Sequence, residues 1–310
     1  MSSHLYHSEQ DLQLVQACVD KNLPTLLMGE TGTGKTTLVK ELAVTKSKQF
    51  IRINLNGQTT REDLVGKYQL VDGNTVWQDG ILLHGVKNGF WILLDEINAA
   101  LPEVLLVLQA LLESNKGTLG SIVLAEKDGE VVPSHTDTRI FATCNPSDYI
   151  GMKDFNQATL SRFVVLHIDP LDREEEAKLL TEKHGIDAKK SQQLSLFSES
   201  LRKLKKEQRI SLFVSTRDLE QVVLLHLGGI DLYRALNVCV IAKTPNEAEQ
   251  GMIRDTMKQV MEISEDKLEK MFGYEKKMKA LEKKKKELEN SFNALNSEFK
   301  EVQDSLQVSI

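Results

Sequence analysis

The chain has 310 residues, of which 41% are hydrophobic and 27% are charged, a balance that excludes general disorder and predicts a packed core. Its 39 basic and 45 acidic residues give a net charge of −6, which argues against a surface built entirely for nucleic acid, although a local basic groove would not show in the total. Three widely spaced cysteines (Cys18, Cys144 and Cys239) and the lack of an apolar leader or span predict a cytoplasmic protein without a secretion signal or membrane anchor.

Five short apolar runs, several of them separated by segments of helical length, predict a parallel sheet covered by helices on both faces. The runs are residues 25–28, 50–53, 91–94, 140–143 and 163–168. Two other segments place a turn between apolar residues and predict β-hairpins, the first over residues 70–77 around Asp72-Gly73 and the second over residues 122–132. The fold class is therefore α/β, and this domain is predicted to extend over residues 1–168.

Helical patterns replace the strands after residue 168. Acidic residues 174–176 open one helix. A second helix runs from Leu219 to Leu227, is expected to be largely buried, and ends at Gly228-Gly229. An all-α lid domain is thus predicted for residues 169–262.

A heptad pattern of apolar residues runs from Met271 to Leu306 and predicts a coiled-coil-like helix for residues 263–310. A single amphipathic helix packed back on its own body is the alternative. The lysine run at 283–286 is offset by neighbouring glutamates, which favours a solvated helix face over a nucleic-acid patch.

A glycine-rich segment follows the first predicted strand. Residues 29–36 match the pattern G-x-x-x-x-G-K-[ST] between the strand ending at Met28 and a helix opening at Thr37. The glycines let backbone N–H groups face an anion, and the helix N-terminus adds its dipole. Lys35 is predicted to reach the β- and γ-phosphates, and Thr36 to place its hydroxyl on Mg²⁺. The predicted nucleotide-binding residues are Gly29, Glu30, Thr31, Gly32, Thr33, Gly34, Lys35, Thr36 and Thr37.

Two carboxylates follow the third predicted strand. Asp95 and Glu96 stand at its C-terminal end, where ligands of parallel sheets bind. Asp95 is predicted to hold Mg²⁺ through water, so that the metal site consists of Thr36 and Asp95, and Glu96 is predicted to polarise the attacking water. The two motifs together predict Mg²⁺-dependent nucleotide hydrolysis rather than binding alone, with ATP as the expected cofactor and GTP as the alternative.

With these residues the chain resembles the AAA+ ATPases, and within them the MoxR, CobS and NorQ/CbbQ-like group related to dynein and midasin, over roughly residues 5–260. The resemblance implies that Asn145 is the sensor that contacts the γ-phosphate or the lytic water. It implies that Arg162 is an arginine finger acting on the neighbouring subunit's nucleotide, with a surface ion-pair role as the alternative. Arg217 would be the lid's contact to the nucleotide, although Thr216 stands where the family often has Pro, and Arg209 lies nearby.

The resemblance further implies a homo-oligomeric, hexameric ring in which the two hairpins, as helix 2 and pre-sensor 1 inserts, face the pore or the partner. It favours ATP-driven remodelling of a client protein, with a von Willebrand factor A-domain protein as a possible partner. A nucleic-acid motor or McrB-like restriction NTPase is the alternative, because Lys67, Lys87 and the 283–286 run could line a groove. A third alternative makes the tail a tether to a larger assembly. Lys67, Tyr68 and Trp77 are candidates for substrate contact, or, for the aromatic residues, packing anchors.

Overall fold

The five apolar runs form one parallel sheet in the computed structural model, which describes residues 9–113, 117–145, 157–261, 284–289 and 291–292. The first part of the chain alternates strands and helices. Its elements are α1 (Glu9–Asp20), β1 (Thr25–Met28), α2 (Lys35–Thr45), β2 (Phe50–Asn54), α3 (Arg61–Val65), β3 (Gly66–Val71), β4 (Asn74–Asp79), α4 (Ile81–Lys87), β5 (Trp91–Asp95), α5 (Pro102–Leu112), β6 (Ser121–Leu124), β7 (Glu130–Pro133), β8 (Arg139–Cys144), α6 (Gln157–Leu160) and β9 (Val164–His167). Helices follow, namely α7 (Arg173–His184), α8 (Ala188–Lys206), α9 (Thr216–Leu227), α10 (Leu232–Cys239) and α11 (Glu247–Met261).

The main sheet has the strand order β2-β5-β8-β1-β9, and every neighbouring pair is parallel. This arrangement confirms the predicted five-stranded parallel sheet and the α/β class. Because β8 lies between β5 and β1, the C-terminal ends of these three strands meet at one edge. Ligands of open parallel sheets bind at this edge.

The strands read as continuous apolar runs because both faces of the sheet are covered. In β5, Ile92 and Leu94 enter a core formed with α3, α4 and α5. Trp91 and Leu93, which point to the opposite face, enter a second core with α1 and α2. The alternation of side chains along each strand therefore divides its apolar residues between two buried layers.

Both predicted hairpins are present, and the first is longer than predicted. β3 and β4 pair across a turn at Asp72 and Gly73, where both residues have positive φ, as a tight hairpin turn requires. β6 and β7 form the second hairpin. Trp77 packs against the core and meets Tyr68 edge-on with 5.2 Å between ring centroids. Of the two predicted roles, a packing anchor fits Trp77, whereas Tyr68 remains 49% exposed.

A buried ion pair connects the helices that follow the sheet. The Glu176 carboxylate on α7 is fully buried and accepts hydrogen bonds from Arg202 Nη2 at 2.6 Å and Thr216 Oγ1 at 2.7 Å. The Ser198 hydroxyl donates to the same carboxylate. Arg202 also donates through Nε to the carbonyl of Val214 at 2.9 Å. One carboxylate thus connects α7, α8 and the start of α9.

The expectation that the helix ending at Leu227 is largely buried is wrong for its last turn. Its buried face ends at Val223, and the three leucines beyond it are exposed, Leu224 by 57% and Leu227 by 52%. The reason is geometric: the buried face recurs every three to four residues through Leu219, Val222 and Val223, so its next position is His226, and the three leucines lie to either side of it.

The chain divides into two compact units, residues 1–251 and 252–310. The second contains the end of α11 and the helical residues 284–289, and Leu288 and Phe292 are exposed there. Most of the predicted heptad helix lies outside the described residues, and the domain boundaries at residues 168 and 262 stay predictions. No helix within the described ranges has the length and apolarity needed to cross a bilayer.

Arg202 tests how much the buried ion pair stabilises the fold. Arg202→Met is expected to lower the free energy of unfolding by about 3–5 kcal/mol, because it leaves the Glu176 charge buried without its cation. Urea unfolding followed by far-UV circular dichroism measures this change. Lys178→Met is the matched control, since Lys178 pairs with Glu182 at 4.0 Å on the surface of α7, and it should leave the unfolding midpoint nearly unchanged. Equal effects of the two substitutions would contradict the assignment.

Candidate functional site

The loop between β1 and α2 has the geometry of an anion cradle. A Cβ atom on Gly29 would lie 2.3 Å from the carbonyl oxygen of Ile168, so only glycine fits where the loop leaves the sheet. Gly34 precedes α2 with a φ of 90° and provides no side-chain cap. The first N–H groups of α2 therefore lack a capping side chain and are oriented to bind an anion, together with the positive end of the helix dipole.

Lys35 is the buried cation of this loop. Its Nζ donates to the carbonyls of Gly29 at 2.6 Å and Glu30 at 2.9 Å, and lies 3.5 Å from Asn145 Oδ1. Burial lowers the pKa of Lys35 below its ordinary value, an effect that the nearby Asp95 carboxylate partly opposes. A polyanion bound at the loop would favour the charged amine, so binding and protonation of Lys35 support each other.

The end of β5 separates a buried carboxylate from an exposed one. Asp95 is buried, whereas Glu96 is exposed and adopts left-handed backbone geometry with φ of 57°. The Thr143 hydroxyl donates to Asp95 Oδ1 and accepts the backbone N–H of Glu96 at 3.0 Å. Arg52 of β2 donates its Nε to Asp95 Oδ2 at 2.6 Å. Both oxygens of Asp95 are thereby oriented, while the side chain of Glu96 stays available to solvent.

A single pocket brings together most of the predicted site residues. Its lining includes the predicted residues Thr31, Gly32, Gly34, Lys35, Thr36, Thr37, Asp95, Glu96, Asn145 and Arg217. Arg217 reaches it from the first turn of α9. Gly29, Glu30 and Thr33 lie in the loop without lining the pocket, and the Thr33 hydroxyl donates to the Glu30 carbonyl at 2.9 Å.

Arg162 is the one predicted catalytic residue that lies apart from this pocket. Its Nη2 pairs with Glu113 at 2.8 Å, and its Nη1 donates to the carbonyl of Ala158. Arg162 does not line the pocket of its own chain. Both interpretations of Arg162, a finger for a neighbouring subunit or a surface ion-pair residue, are compatible with this position.

Three lining residues, Arg52, Thr143 and Cys144, were not predicted. Arg52 interrupts the otherwise apolar run 50–53, and a charged residue inside an apolar strand is a detectable signal, whereas its partner Asp95 is determined by the pairing of β2 with β5. Thr143 is the next-to-last residue of β8, at the same edge of the sheet as Asp95, which ends β5. No comparable pattern distinguishes Cys144, which is buried at the end of its strand.

The residues of the pocket fit a magnesium-bound nucleoside triphosphate. The uncapped helix start and Lys35 fit the phosphates. Thr36 and Asp95 offer a hydroxyl and a carboxylate in one pocket, oxygen ligands of the type that Mg²⁺ takes. The parallel sheet, the loop after β1 and the acidic pair after β5 define the class of P-loop nucleoside triphosphatases.

Two family models match this chain and identify its group within the P-loop nucleoside triphosphatases. Residues 24–163 match the family model of the AAA domain, dynein-related subfamily, and residues 176–264 match that of the CbbQ/NirQ/NorQ C-terminal region. The chain belongs to the NorQ/CbbQ-like group of AAA+ ATPases.

Individual relatives support the same group. Protein NorQ of Paracoccus denitrificans is 28% identical over 77% of this chain and 86% of its own length. Protein CbbQ of Hydrogenophilus thermoluteolus is 31% identical over 62% of this chain and 71% of its own. Midasin of Dictyostelium discoideum is 35% identical over 61% of this chain, but the match spans only 3% of midasin.

Thr143 provides a test of how the two carboxylates are oriented. Thr143→Val keeps the shape of the side chain but removes the donor to Asp95 and the acceptor for the Glu96 N–H, and we expect ATP turnover to fall at least about tenfold with little loss of nucleotide affinity. Steady-state turnover and titration with a fluorescent ATP analogue separate the two effects. Thr138→Val is the matched control, because Thr138 is buried near the other end of β8 and donates to the Val86 carbonyl at 3.1 Å. Equal turnover in both variants would refute the assignment.

Proposed function

We propose that this chain is the subunit of a hexameric ring that hydrolyses ATP in the cytoplasm to remodel or activate a client protein. The observation that carries the proposal is the convergence of Lys35, Asp95 and Glu96 in one pocket that Arg217 enters from the helical region. A site that only binds nucleotide has no need for an exposed carboxylate beside a buried one. Membership in a family of ATPases supports the same reaction.

Each residue has a role that follows from its position. Lys35 and the start of α2 bind the phosphates. Thr36 and Asp95 would hold Mg²⁺, which supplies positive charge to the phosphate oxygens when bound. Glu96, exposed and next to Asp95, is proposed to orient and deprotonate the attacking water. Asn145, 3.5 Å from Lys35 Nζ, is proposed to orient the same water or the terminal phosphate.

The separation of Arg162 from its own pocket supports the proposed ring. A cationic side chain that stabilises phosphoryl transfer must reach the nucleotide, and Arg162 is instead paired with Glu113 at 2.8 Å. We propose that Arg162 completes the pocket of the adjacent subunit. In that case the isolated subunit hydrolyses ATP slowly, and assembly activates it.

The client is proposed to contact a surface made by the two hairpins. Arg61, just before the first hairpin, pairs with Glu126 in the turn of the second, and Lys127 lies 5.7 Å from the centre of the Trp77 ring. The hairpins therefore adjoin, and both expose apolar side chains such as Leu70 and Val131. We propose this joint surface as the contact for the client, or for a von Willebrand factor A-domain partner that recruits it.

Glu96→Gln tests the hydrolytic site. The substitution is expected to leave ATP binding nearly unchanged and to lower turnover at least about 100-fold, because the amide cannot accept a proton from water. The ATP-bound variant should accumulate as the ring, measured by light scattering after size-exclusion chromatography. Lys35→Ala is the comparison, since it should lose nucleotide binding itself. Turnover of Glu96→Gln at the wild-type rate would refute the role of Glu96.

Mixed assemblies test the position of Arg162. Arg162→Ala and Lys35→Ala should each be inactive alone, the first for lack of a finger and the second for lack of bound nucleotide. A mixture should regain part of the ATPase activity, because some interfaces join an intact loop to an intact Arg162. Titration of one variant into the other measures this recovery. Normal hydrolysis by Arg162→Ala alone, without recovery on mixing, would leave only the surface ion-pair interpretation.

A further inference from the structure

The phosphate loop contains an acidic residue at an unfavourable place for an anion site. Glu30 follows Gly29 directly, and its carbonyl accepts hydrogen bonds from Lys35 Nζ and from the Thr33 hydroxyl. Its carboxylate is close enough to Lys35 to oppose the lowering of the pKa of that amine. A carboxylate this close to the phosphate-binding lysine repels a bound triphosphate unless another group offsets its charge.

A lysine of the helical region offsets this charge. Lys205, near the end of α8, places its Nζ 2.9 Å from Glu30 Oε1. The amine also lies 4.9 Å from the centre of the Phe213 ring. Both side chains of the ion pair are 29% exposed, so the pair is partly withdrawn from solvent and is screened less than a fully exposed pair.

The start of α9 also packs against the phosphate loop, next to Gly32. A Cβ atom on Gly32 would be 2.5 Å from the Ser215 hydroxyl oxygen and 3.5 Å from the Cβ of Arg217. The start of α9 therefore fills the space next to the loop. Because the Glu30 side chain is paired with Lys205 and does not line the pocket, the loop presents its backbone, and not its carboxylate, to the pocket.

We propose that Lys205 is a positioning residue that neutralises Glu30 and holds this carboxylate away from the phosphates. The proposal rests on the nucleotide site proposed above and adds to it a dependence on the helical region. Nucleotide affinity then depends on the ion pair between Lys205 and Glu30, although Lys205 itself does not line the pocket. Movement of α8 away from the loop would expose the Glu30 charge and favour nucleotide release.

The test compares the affinity of four proteins for MgAMP-PNP by calorimetric titration. At about 50 mM salt, Lys205→Gln is expected to weaken binding about fivefold, because one uncompensated charge then faces the triphosphate. Glu30→Gln in the same chain should restore affinity to within about twofold of wild type. Lys206→Gln, the same charge change at the next and exposed position of α8, should have little effect. At about 500 mM salt the loss in Lys205→Gln should shrink below about twofold, because the Glu30 carboxylate without its lysine partner is in contact with solvent, where salt screens its charge.

Three results of this titration would overturn the proposal that Lys205 neutralises Glu30. Equal affinity of Lys205→Gln and wild type would overturn the proposal, and so would a double variant as weak as Lys205→Gln, which would mean that Lys205 acts on the nucleotide directly. A loss that persists at high salt would indicate a disturbed fold of the helical region instead of an exposed charge, and would likewise overturn it. If the wild-type chain binds no MgAMP-PNP, the proposed nucleotide site fails and this inference fails with it.

Discussion

The site depends on the parallel register of three adjacent strands. Leu94 of β5 lies level with Ala142 of β8, and Met28 of β1 lies level with Cys144. The residues that follow therefore emerge at one edge: Asp95, Asn145 and the loop that starts at Gly29. A shift of one residue in either pairing would turn every side chain of the moved strand to the other face. The two buried cores, which accept alternate residues of each strand, make such a shift costly and so maintain the alignment.

Each charged side chain buried in the pocket has polar partners within the protein, and these partners offset part of the cost of its burial. The Lys35 amine is surrounded by carbonyl oxygens, with the Asp95 carboxylate close enough to affect its pKa. Asp95 in turn is bonded to Arg52 and Thr143. Isolated charges would lose several kcal/mol on burial. Because each has a partner, the pocket can remain ordered before a nucleotide supplies further charges.

The parts of the fold that the sequence predicts are those determined by neighbouring residues. The five strands, the hairpin turn at Asp72-Gly73 and the glycine-rich loop each depend on a local pattern, and the structure contains all of them. Contacts between distant residues were not predictable in this way. Arg52 meets Asp95 only because β2 pairs with β5, and Glu30 meets Lys205 across 175 positions of the chain. The exposed leucines at the end of α9 were misjudged because an apolar run does not reveal which face is covered.

Residue 216 illustrates how a departure from the family pattern can be compensated within one chain. The family often has proline at this position, the first residue of α9, where proline fits because no intrahelical donor is needed. Thr216 starts the same helix after the Ser215 cap, but its hydroxyl also donates to the buried Glu176 at 2.7 Å. Proline would start the helix equally well and remove that donor. The threonine is thus coupled to the buried carboxylate on α7, and together they fix the helix turn from which Arg217 reaches the pocket.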